Sequence, residues 1–499
     1  MAETEKPFPP GTYPVVVVGS GPGGLQTSYC LKRVGVKHAV ISADDAPGGM
    51  FLRFPIFQRL ISWTKLHAPV DRGARDYERY DWNSLIGDSP KLGGLVADQM
   101  EGKIYFPSRA EMQAGLAAFA TKARIRVRWN CEWQSTRHED GCFVVSTSDG
   151  EFKCKVLIVA TGMTEPWKPQ IPGLEAAPHY AETRFPKEYS GKSVFIVGKR
   201  NSAFELADGI LAYAKQMFLA SPRPPSISLM SFHVASARAR YLQVYEDYVL
   251  GGGSVILDAA IQRVERHANG YTVHAAGTTK PGDLRFDVDE VIAATGFTTP
   301  LGDLRELGVA TFNQDRLPAM TNYWESASVP GIYFAGSVSQ GAVGLKKHGI
   351  PGVSGAVQGM RYNAKVLAEF VAQKHFGIVP SKPRVQVGDL GRFILGEATH
   401  SPVLWVQKSY LARSVTFDGN GVIDDGIVPL AEFVDAAGSD ALAVVVETGP
   451  TGDIYPVVYV RTRGGVQEHV FPSNYLHDFE GPEHAAQLES ILKIVQQAR

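Results

Sequence analysis

Cysteine is scarce in this 499-residue chain: Cys30, Cys131, Cys142 and Cys154 are all there is. Their spacings form no CxxC pair, which speaks against a dithiol redox centre, and no zinc-ligand pattern; four are too few for a disulfide scaffold. All four read as structural thiols, since buried cysteine behaves as a small hydrophobe; a single-cysteine mechanism stays open. Long apolar runs are missing too. Nothing approaches the roughly 20 residues that span a bilayer, and the opening MAETEKPFPPGTYP lacks the apolar core of a signal peptide, so the cytoplasm is the expected compartment. Charge of one sign is absent: 50 Lys and Arg face 51 Asp and Glu, a net of −1 with histidine neutral. Neither nucleic acid nor an anionic membrane surface is therefore an expected partner. There are no repeats, no low-complexity tracts and no legible acid–base pair, and the GVSG stretch at 352–355 lacks the spacing of a GxSxG nucleophile elbow.

Glycine, in contrast, is abundant and patterned. In YPVVVVGSGPGGLQTSYCLKRVGVKHAVISADDAPGGMF the β-branched run 15–18 predicts a parallel strand buried on both faces. Gly19, Gly21 and Gly24 then satisfy GxGxxG, with Ser20, Pro22 and Gly23 completing the turn. They open a helix expected to end near Gly35, before a second strand at 37–42. Such glycines permit the tight turn, backbone approach to a pyrophosphate and close helix–strand packing, and the helix N-terminus offers unpaired N–H groups to phosphate. The acid that usually ends the second strand and holds a ribose is missing. Ser42 or Ala43 falls there, with Asp44 and Asp45 just beyond, which makes Ser42 and Asp44 the ribose candidates.

A second strand–turn–helix, VFIVGKRNSAFELA at 194–207, is altered. Gly198 is in place, but Arg200 stands where the second glycine belongs, preceded by Lys199 and followed by Asn201, Ser202 and Ala203. A long cation there either points away from a bound phosphate or reaches around to it. Arg200, or Arg238 and Arg240 further on, are the candidates for an adenosine 2′-phosphate, which favours NADPH slightly over NADH.

Four further blocks occur in order: APGGMF (Gly48, Gly49, Met50, Phe51), KVLIVATGM (Ala160, Thr161, Gly162), DEVIAATGF (Thr295, Gly296) and VPGIYFAGS (Gly336, Ser337). With GSGPGG, this order resembles the two-dinucleotide-binding-domain flavoproteins, the superfamily of thioredoxin reductases and class B flavin monooxygenases, over residues 12–380. The resemblance implies an α/β fold of two Rossmann-like domains: an FAD domain in two parts, 12–168 and 298–384, with the NAD(P)H-binding domain 169–297 inserted, and a small α+β accessory domain at 385–499. It places FAD on the glycine, ATG and AGS blocks, and NADPH or NADH on the turn at 198–203. NSAFE is similar to the family's GGxNSAxE variant, in which a lysine can stand at the second-glycine place. Ser337 departs from the family's acid beside the ribityl chain. The monooxygenase linker motif is vestigial in GLEAAPHYAETRF, where His179 matches but Glu175 and Thr183 replace a glycine and an aromatic.

Without a cysteine pair, the resemblance points from the reductases to the monooxygenases, as does IYFPSRAEMQAGLAAFATKARIRVRWN, read as aromatic-Pro, helix and strand. It implies an FAD-dependent, NAD(P)H-consuming monooxygenase that uses molecular oxygen, through a C4a-(hydro)peroxyflavin, on a small organic substrate. The cofactor then carries the hard chemistry while the protein positions and shields. A flavin reductase or oxidase without its own cysteine pair, a non-catalytic FAD-binding protein, and a homo-oligomer all stay open. Arg53, Gln58, Trp63, Lys65 and His67 are candidate flavin and substrate contacts. Lys346, Lys347 and His348 precede a helix expected near Val353, whose dipole can face the flavin's pyrimidine edge; Lys65 and His348 are the candidate catalytic residues. Beyond Val385, RFILGEATHSPVLWVQKSYLARSVTFD reads as strands and ALAVVVETGPTGDIYPVVYVRTRGGVQEHVFP as a strand and hairpin. From Pro482 an amphipathic helix carries Leu488, Ile491, Leu492 and Val495 on one face.

Overall fold

Residues 15–18 form the expected strand because four consecutive valines leave no polar face to expose; each is 5% exposed or less. The computed structural model describes residues 6–233 and 236–497, with side chains of the last helix as far as Lys493. This first strand is β1 (Gly11–Val18), followed by α1 (Pro22–Arg33), which opens on proline and closes on Lys32 and Arg33 at the negative end of its dipole. Next, β2 (His38–Ile41) lies parallel to β1. A reciprocal capping box between Ser108 and Glu111 starts α2 (Arg109–Lys122). An antiparallel meander of β3 (Trp133–Glu139), β4 (Cys142–Thr147) and β5 (Gly150–Val159) brings β5 back parallel to β1. The strand expected at 125–130 is reduced to a single bridge between Ile41 and Arg128. Left-handed residues bound it, Arg124 at φ 52° and Asn130 at φ 51°, and a ladder cannot run through them.

The chain then builds a second sheet from β6 (Ser193–Val197), α3 (Asn201–Ile210), β7 (Gln216–Ser221), α4 (Leu242–Leu250), β8 (Ser254–His267), β9 (Gly270–Gly277), β10 (Asp283–Val288) and β11 (Glu290–Ala293). Its order is β10-β9-β8-β7-β6-β11, parallel from β8 to β11 and antiparallel at β9 and β10. On its return the chain adds β12 (Ile332–Phe334) beside the end of β5, which completes the first sheet, β2-β1-β5-β4-β3 with β12 on β5. Then α5 (Val357–Phe376) packs against α1, starting four residues after the expected Val353.

Contacts divide the described chain into two units: residues up to Leu52, Ser62–Met163 and Thr299 onward in one, Arg53–Ile61 and Thr164–Thr298 in the other. The segment Arg53–Ile61, expected from its sequence position in the first domain, goes with the second unit, named the nucleotide unit after the domain expected at 169–297. Its Phe54, Ile56, Phe57 and Ile61 pack on the core formed by Tyr180, Phe204 and Ile210.

The accessory domain is α+β as expected, but its opening is helical. After β13 (Arg384–Val385), residues 390–406 form α6 (Leu390–His400) and α7 (Pro402–Val406) rather than strands. Leu390, Ile394, Leu395 and Ala398 recur at helical spacing and bury against Val444, Val446 and Val458 of the sheet behind them. That sheet continues with β14 (Leu411–Asp418), β15 (Gly421–Pro429), β16 (Ala441–Thr448), β17 (Ile454–Thr462) and β18 (Gly465–Val470), in the antiparallel order β13-β15-β14-β16-β17-β18. The closing α8 (Pro482–Gln497) sets Leu488, Ile491 and Leu492 into the same core; the Val495 side chain lies outside the described residues. Among the described residues, no helix is long and apolar enough to cross a membrane.

Candidate cofactor site

The glycine blocks, scattered over more than 300 residues of sequence, meet at one place in the first unit. The turn after β1 leaves the sheet where Ala160 N donates to Val18 O (2.8 Å) and Gly19 N to Ile41 O (2.8 Å), so three parallel strands end together. Gly19 takes φ 115°, and a Cβ there would stand 2.4 Å from the Ala160 carbonyl oxygen. A Cβ on Gly24 would lie 2.0 Å from Gly19 O, and one on Gly23 2.2 Å from Gly336 Cα. Gly21 faces Gly49, which has φ 56°. GSGPGG, APGGMF, ATG and AGS thus touch through backbone, in a cradle that side chains would fill, at the carboxyl ends of the strands and the N-terminus of α1. That is where the fold family binds a dinucleotide pyrophosphate, and these residues fit FAD.

Of the residues expected at the ribose and the ribityl chain, Ser42 and Ser337 carry hydroxyls. Ser42, almost fully buried, shares a 2.8 Å hydrogen bond with Ser20 Oγ and accepts from Asp44 N (3.2 Å). Ser337 Oγ accepts from Met163 N at 3.2 Å, linking AGS to the residue after ATG and keeping its own O–H free to donate.

In the nucleotide unit the altered turn resolves into two cations with opposite fates. Gly198 keeps its role, with φ 139° and a would-be Cβ 2.4 Å from Ala294 O. The Lys199 ammonium turns inward, its side chain 2% exposed, and pairs with Asp258 at the end of the parallel run of β8. Asp258 also accepts from Thr279 Oγ1 at 2.7 Å. Burial holds the Lys199 pKa below the ordinary lysine value although Asp258 opposes it; the Asp258 carboxyl, despite some desolvation, sits below its own ordinary value beside Lys199. Arg200 is exposed at the N-cap of α3 in extended conformation. Asn201 Oδ1 accepts from Arg238 N (3.1 Å); the Arg238 side chain is buried, and the Arg240 guanidinium lies 5.3 Å from the Tyr241 ring centre. Of the three candidate arginines, Arg200 is the exposed one. Sequence reasoning misses Asp258; its one signal is the apolar strand SVILD, which ends on an acid.

His179, the residue matching the linker motif, is buried and structural. Its Nδ1 accepts from Ala181 N (3.1 Å), so Nε2 carries the proton and donates to the Gly296 carbonyl (3.0 Å), while burial lowers its pKa. Glu205 in NSAFE is a second buried group to which the sequence assigns no role. Tyr180 Oη donates to its Oε2 at 2.6 Å and Phe57 N to Oε1 at 3.4 Å. Burial lifts its carboxyl from 4.5 to about 7 despite these bonds. The folded protein therefore holds this proton more tightly than the unfolded chain. The resulting stabilisation is complete below pH 4.5 and lost as pH rises through 7. Glu205→Gln cannot ionise, so it is expected to match the parent below pH 4.5 and to exceed its stability by roughly 3 kcal/mol above pH 8. Urea unfolding at the two pH values measures the difference; equal midpoints at both would show that the carboxyl titrates normally.

Of the two candidate catalytic residues, Lys65 is exposed, with Nζ 6.0 Å from the Tyr80 ring centre. His348, at φ 54°, bonds the Tyr455 hydroxyl at 2.8 Å, and Lys347 pairs with Glu468, which ties their loop to the accessory sheet. Arg53 and Gln58 belong to the nucleotide unit, whereas Trp63, Lys65 and His67 belong to the first. Trp63 packs against Trp82 with ring centres 3.6 Å apart and planes tilted by 33°.

Known proteins resemble this chain in sequence and in fold. FAD-dependent oxidoreductase domain-containing protein 2 of Mus musculus is 26% identical over 437 residues, 81% of this chain and 64% of the relative; the chain spans just under two thirds of that protein's length. The structure of the bacillithiol disulfide reductase Bdr from Bacillus cereus superposes with a TM-score of 0.55 at 19% identity, covering 73% of this chain and 100% of the other. A flavin-containing monooxygenase from Stenotrophomonas maltophilia superposes with a TM-score of 0.53 at 21% identity, covering 72% and 98%. These two likenesses are of fold. The pyridine nucleotide-disulphide oxidoreductase family matches residues 16–336, which take in every glycine of the cradle. The chain belongs to the pyridine nucleotide-disulphide oxidoreductase family.

Proposed function

We propose that the protein is an FAD-dependent oxidoreductase that consumes NAD(P)H and acts as a monooxygenase on a small organic substrate. The observation that carries this reading is the pairing of an FAD cradle with three buried thiols of raised pKa and no CxxC pair. All four cysteines are free, and three are buried. Burial pushes the Cys30 and Cys154 thiols up to about 12 and raises that of Cys131, so at neutral pH they are protonated and poor nucleophiles. Electrons from the flavin then need an acceptor other than a protein disulfide. With oxygen the balance is NAD(P)H + H⁺ + O₂ + S → NAD(P)⁺ + SO + H₂O, where S is the substrate.

Bound FAD would take a hydride from the nicotinamide and activate oxygen. The chain's residues do the rest. The α1 N–H groups and the glycine cradle would hold the pyrophosphate, the Ser20–Ser42 hydroxyl pair would serve a ribose, and Ser337 would have its O–H to give to the ribityl chain. On the nucleotide side, Arg200 is the group available to an adenosine 2′-phosphate at the start of α3. Arg200→Gly is expected to raise the KM for NADPH about tenfold, the worth of one charge-assisted hydrogen bond. The KM for NADH and the FAD content should stay as they are; steady-state reduction with each cofactor checks this, and an unchanged KM for both would make Arg200 a bystander.

The functional test is a sequence of mixings. Purified protein should be yellow, and NADPH or NADH should bleach it in the absence of air. Oxygen should then restore the colour with one oxygen atom appearing in product when substrate is present. Failure to bleach at saturating cofactor would refute NAD(P)H consumption. Reoxidation that yields only hydrogen peroxide across a panel of nitrogen-, sulfur- and carbonyl-bearing substrates would make the protein an oxidase.

A further inference from the structure

The accessory domain has its own core and no family motif, yet it holds the loop that leads into α5. Between α7 and β14, residues 407–410 form a short buried segment on which the loop 343–353 is laid. Ser409 O accepts from Leu345 N (2.8 Å), and Ser409 Oγ accepts from Lys347 N (3.1 Å) while donating to Glu447 Oε2 (2.7 Å). Gln407, fully buried, clamps the far end of the loop: Oε1 accepts from Val353 N at 2.6 Å, and Nε2 donates to Asn363 Oδ1 (2.5 Å) and Gly359 O (3.3 Å). The glycines of this joint leave no room for a side chain. A Cβ on Gly344 would stand 2.4 Å from Ser409 O, and one on Gly352 2.8 Å from Gln407 Oε1.

The backbone here is held where it would not rest by itself. Lys346, His348 and Ser409 all take φ between 52° and 54°, a sparsely populated region for side-chain-bearing residues that persists only when surroundings impose it. The loop leads directly into α5, and α5 begins at the cradle: Met360 Sδ lies 3.9 Å from where a Gly336 Cβ would be. In that same turn Ser354 Oγ and Gln358 Oε1, 1% and 2% exposed, have no hydrogen-bond partner in the protein. Two buried, unsatisfied polar atoms beside a helix N-terminus mark a place where a polar ligand group completes the bonding.

We infer that Gln407 is a positioning residue for the flavin: through Val353 and Gly359 the accessory domain sets the first turn of α5, and with it the polar groups that meet FAD beside Gly336. The inference rests on the proposal that the cradle binds FAD. The N–H groups of that first turn are partial positive charges, so shifting them changes how the site favours reduced over oxidised flavin as well as how tightly it holds either.

The test uses the full chain and FAD. Gln407→Met keeps the length and unbranched shape of the side chain but removes all three hydrogen bonds. It is expected to bind FAD about tenfold more weakly, measured by quenching of flavin fluorescence. A tenfold change in preference between the two redox states would move the two-electron potential by about 30 mV, read by dye equilibration, with a shift in the visible flavin band. A folded Gln407→Met protein with unchanged affinity, potential and spectrum would overturn the inference. Should that variant fail to fold, Gln407→Glu decides, since it keeps an acceptor for Val353 N and removes the two bonds that Nε2 donates. Faster FAD release is expected; unchanged FAD release overturns the proposal. A wild-type protein that takes up no FAD at all would instead sink the FAD reading, and the inference with it.

Discussion

Gly23→Ala is expected to give a protein that neither holds FAD nor folds stably, whereas Gly21→Ala, two residues earlier, should fold and only bind the cofactor more weakly. The difference lies in what each new Cβ meets. At Gly23 it would stand 2.2 Å from Gly336 Cα and 2.6 Å from Gly336 N, backbone against backbone with no rotamer to relieve it. Relief requires α1 to separate from the segment after β12, and overpacking of a closed joint costs about 3 kcal/mol or more. At Gly21 the nearest atom is Gly49 Cα at 3.6 Å, an ordinary contact, so the fold tolerates the methyl. That methyl occupies the approach to the pyrophosphate, and FAD affinity should fall at least about tenfold, the scale of one lost charge-assisted hydrogen bond. Flavin absorbance per protein and thermal melts with and without added FAD separate the two effects. Normal flavin content in Gly23→Ala would mean that the blocks do not meet as described.

Asp258→Ala has the second large effect, on the nucleotide unit. It leaves the Lys199 ammonium, whose side chain is 2% exposed, without its counter-charge, and removing one partner of a buried pair costs roughly 3–5 kcal/mol. Lys199→Met removes the charge together with its need for a partner, leaving Asp258 at 22% side-chain exposure to find water, so its cost should stay near 1 kcal/mol. Urea unfolding of the two variants reads the asymmetry. The same pair tests the turn's chemistry: with its ammonium committed to Asp258, Lys199→Met should leave the KM for both nicotinamide cofactors within about twofold, below the tenfold of one lost hydrogen bond. A rise of tenfold or more would show that Lys199 leaves Asp258 to meet the phosphates.

The mismatches between pattern and structure in the accessory domain have a common origin. FILGEA and PVLWV are rich in branched and aromatic residues, which suit a strand as well as a buried helix, and short apolar runs do not distinguish the two by composition. Leu390, Ile394, Leu395 and Ala398 face one way only because a sheet lies behind them. At 125–130 the alternation IRVRWN is a fair strand pattern, but the ladder is stopped by φ values at Arg124 and Asn130 that no side-chain pattern announces. In sequence, His348 and Lys347 look like free polar groups before a flavin helix. Their partners, Tyr455 and Glu468, lie more than 100 residues away on β17 and β18.

Sequence alone dictates the two glycine turns, the order of the family blocks and hence the α/β fold, because these depend on backbone conformations that only particular residues at short spacing can adopt. It equally dictates that no CxxC pair is present. The folded arrangement had to supply the rest: that Lys199 is spent on Asp258 while Arg200 stays exposed, that Arg53–Ile61 goes with the nucleotide unit, and that Gln407 of the accessory domain holds the start of α5. Each of these turns on which distant group meets a side chain once the sheets have stacked, and local pattern carries no record of that meeting.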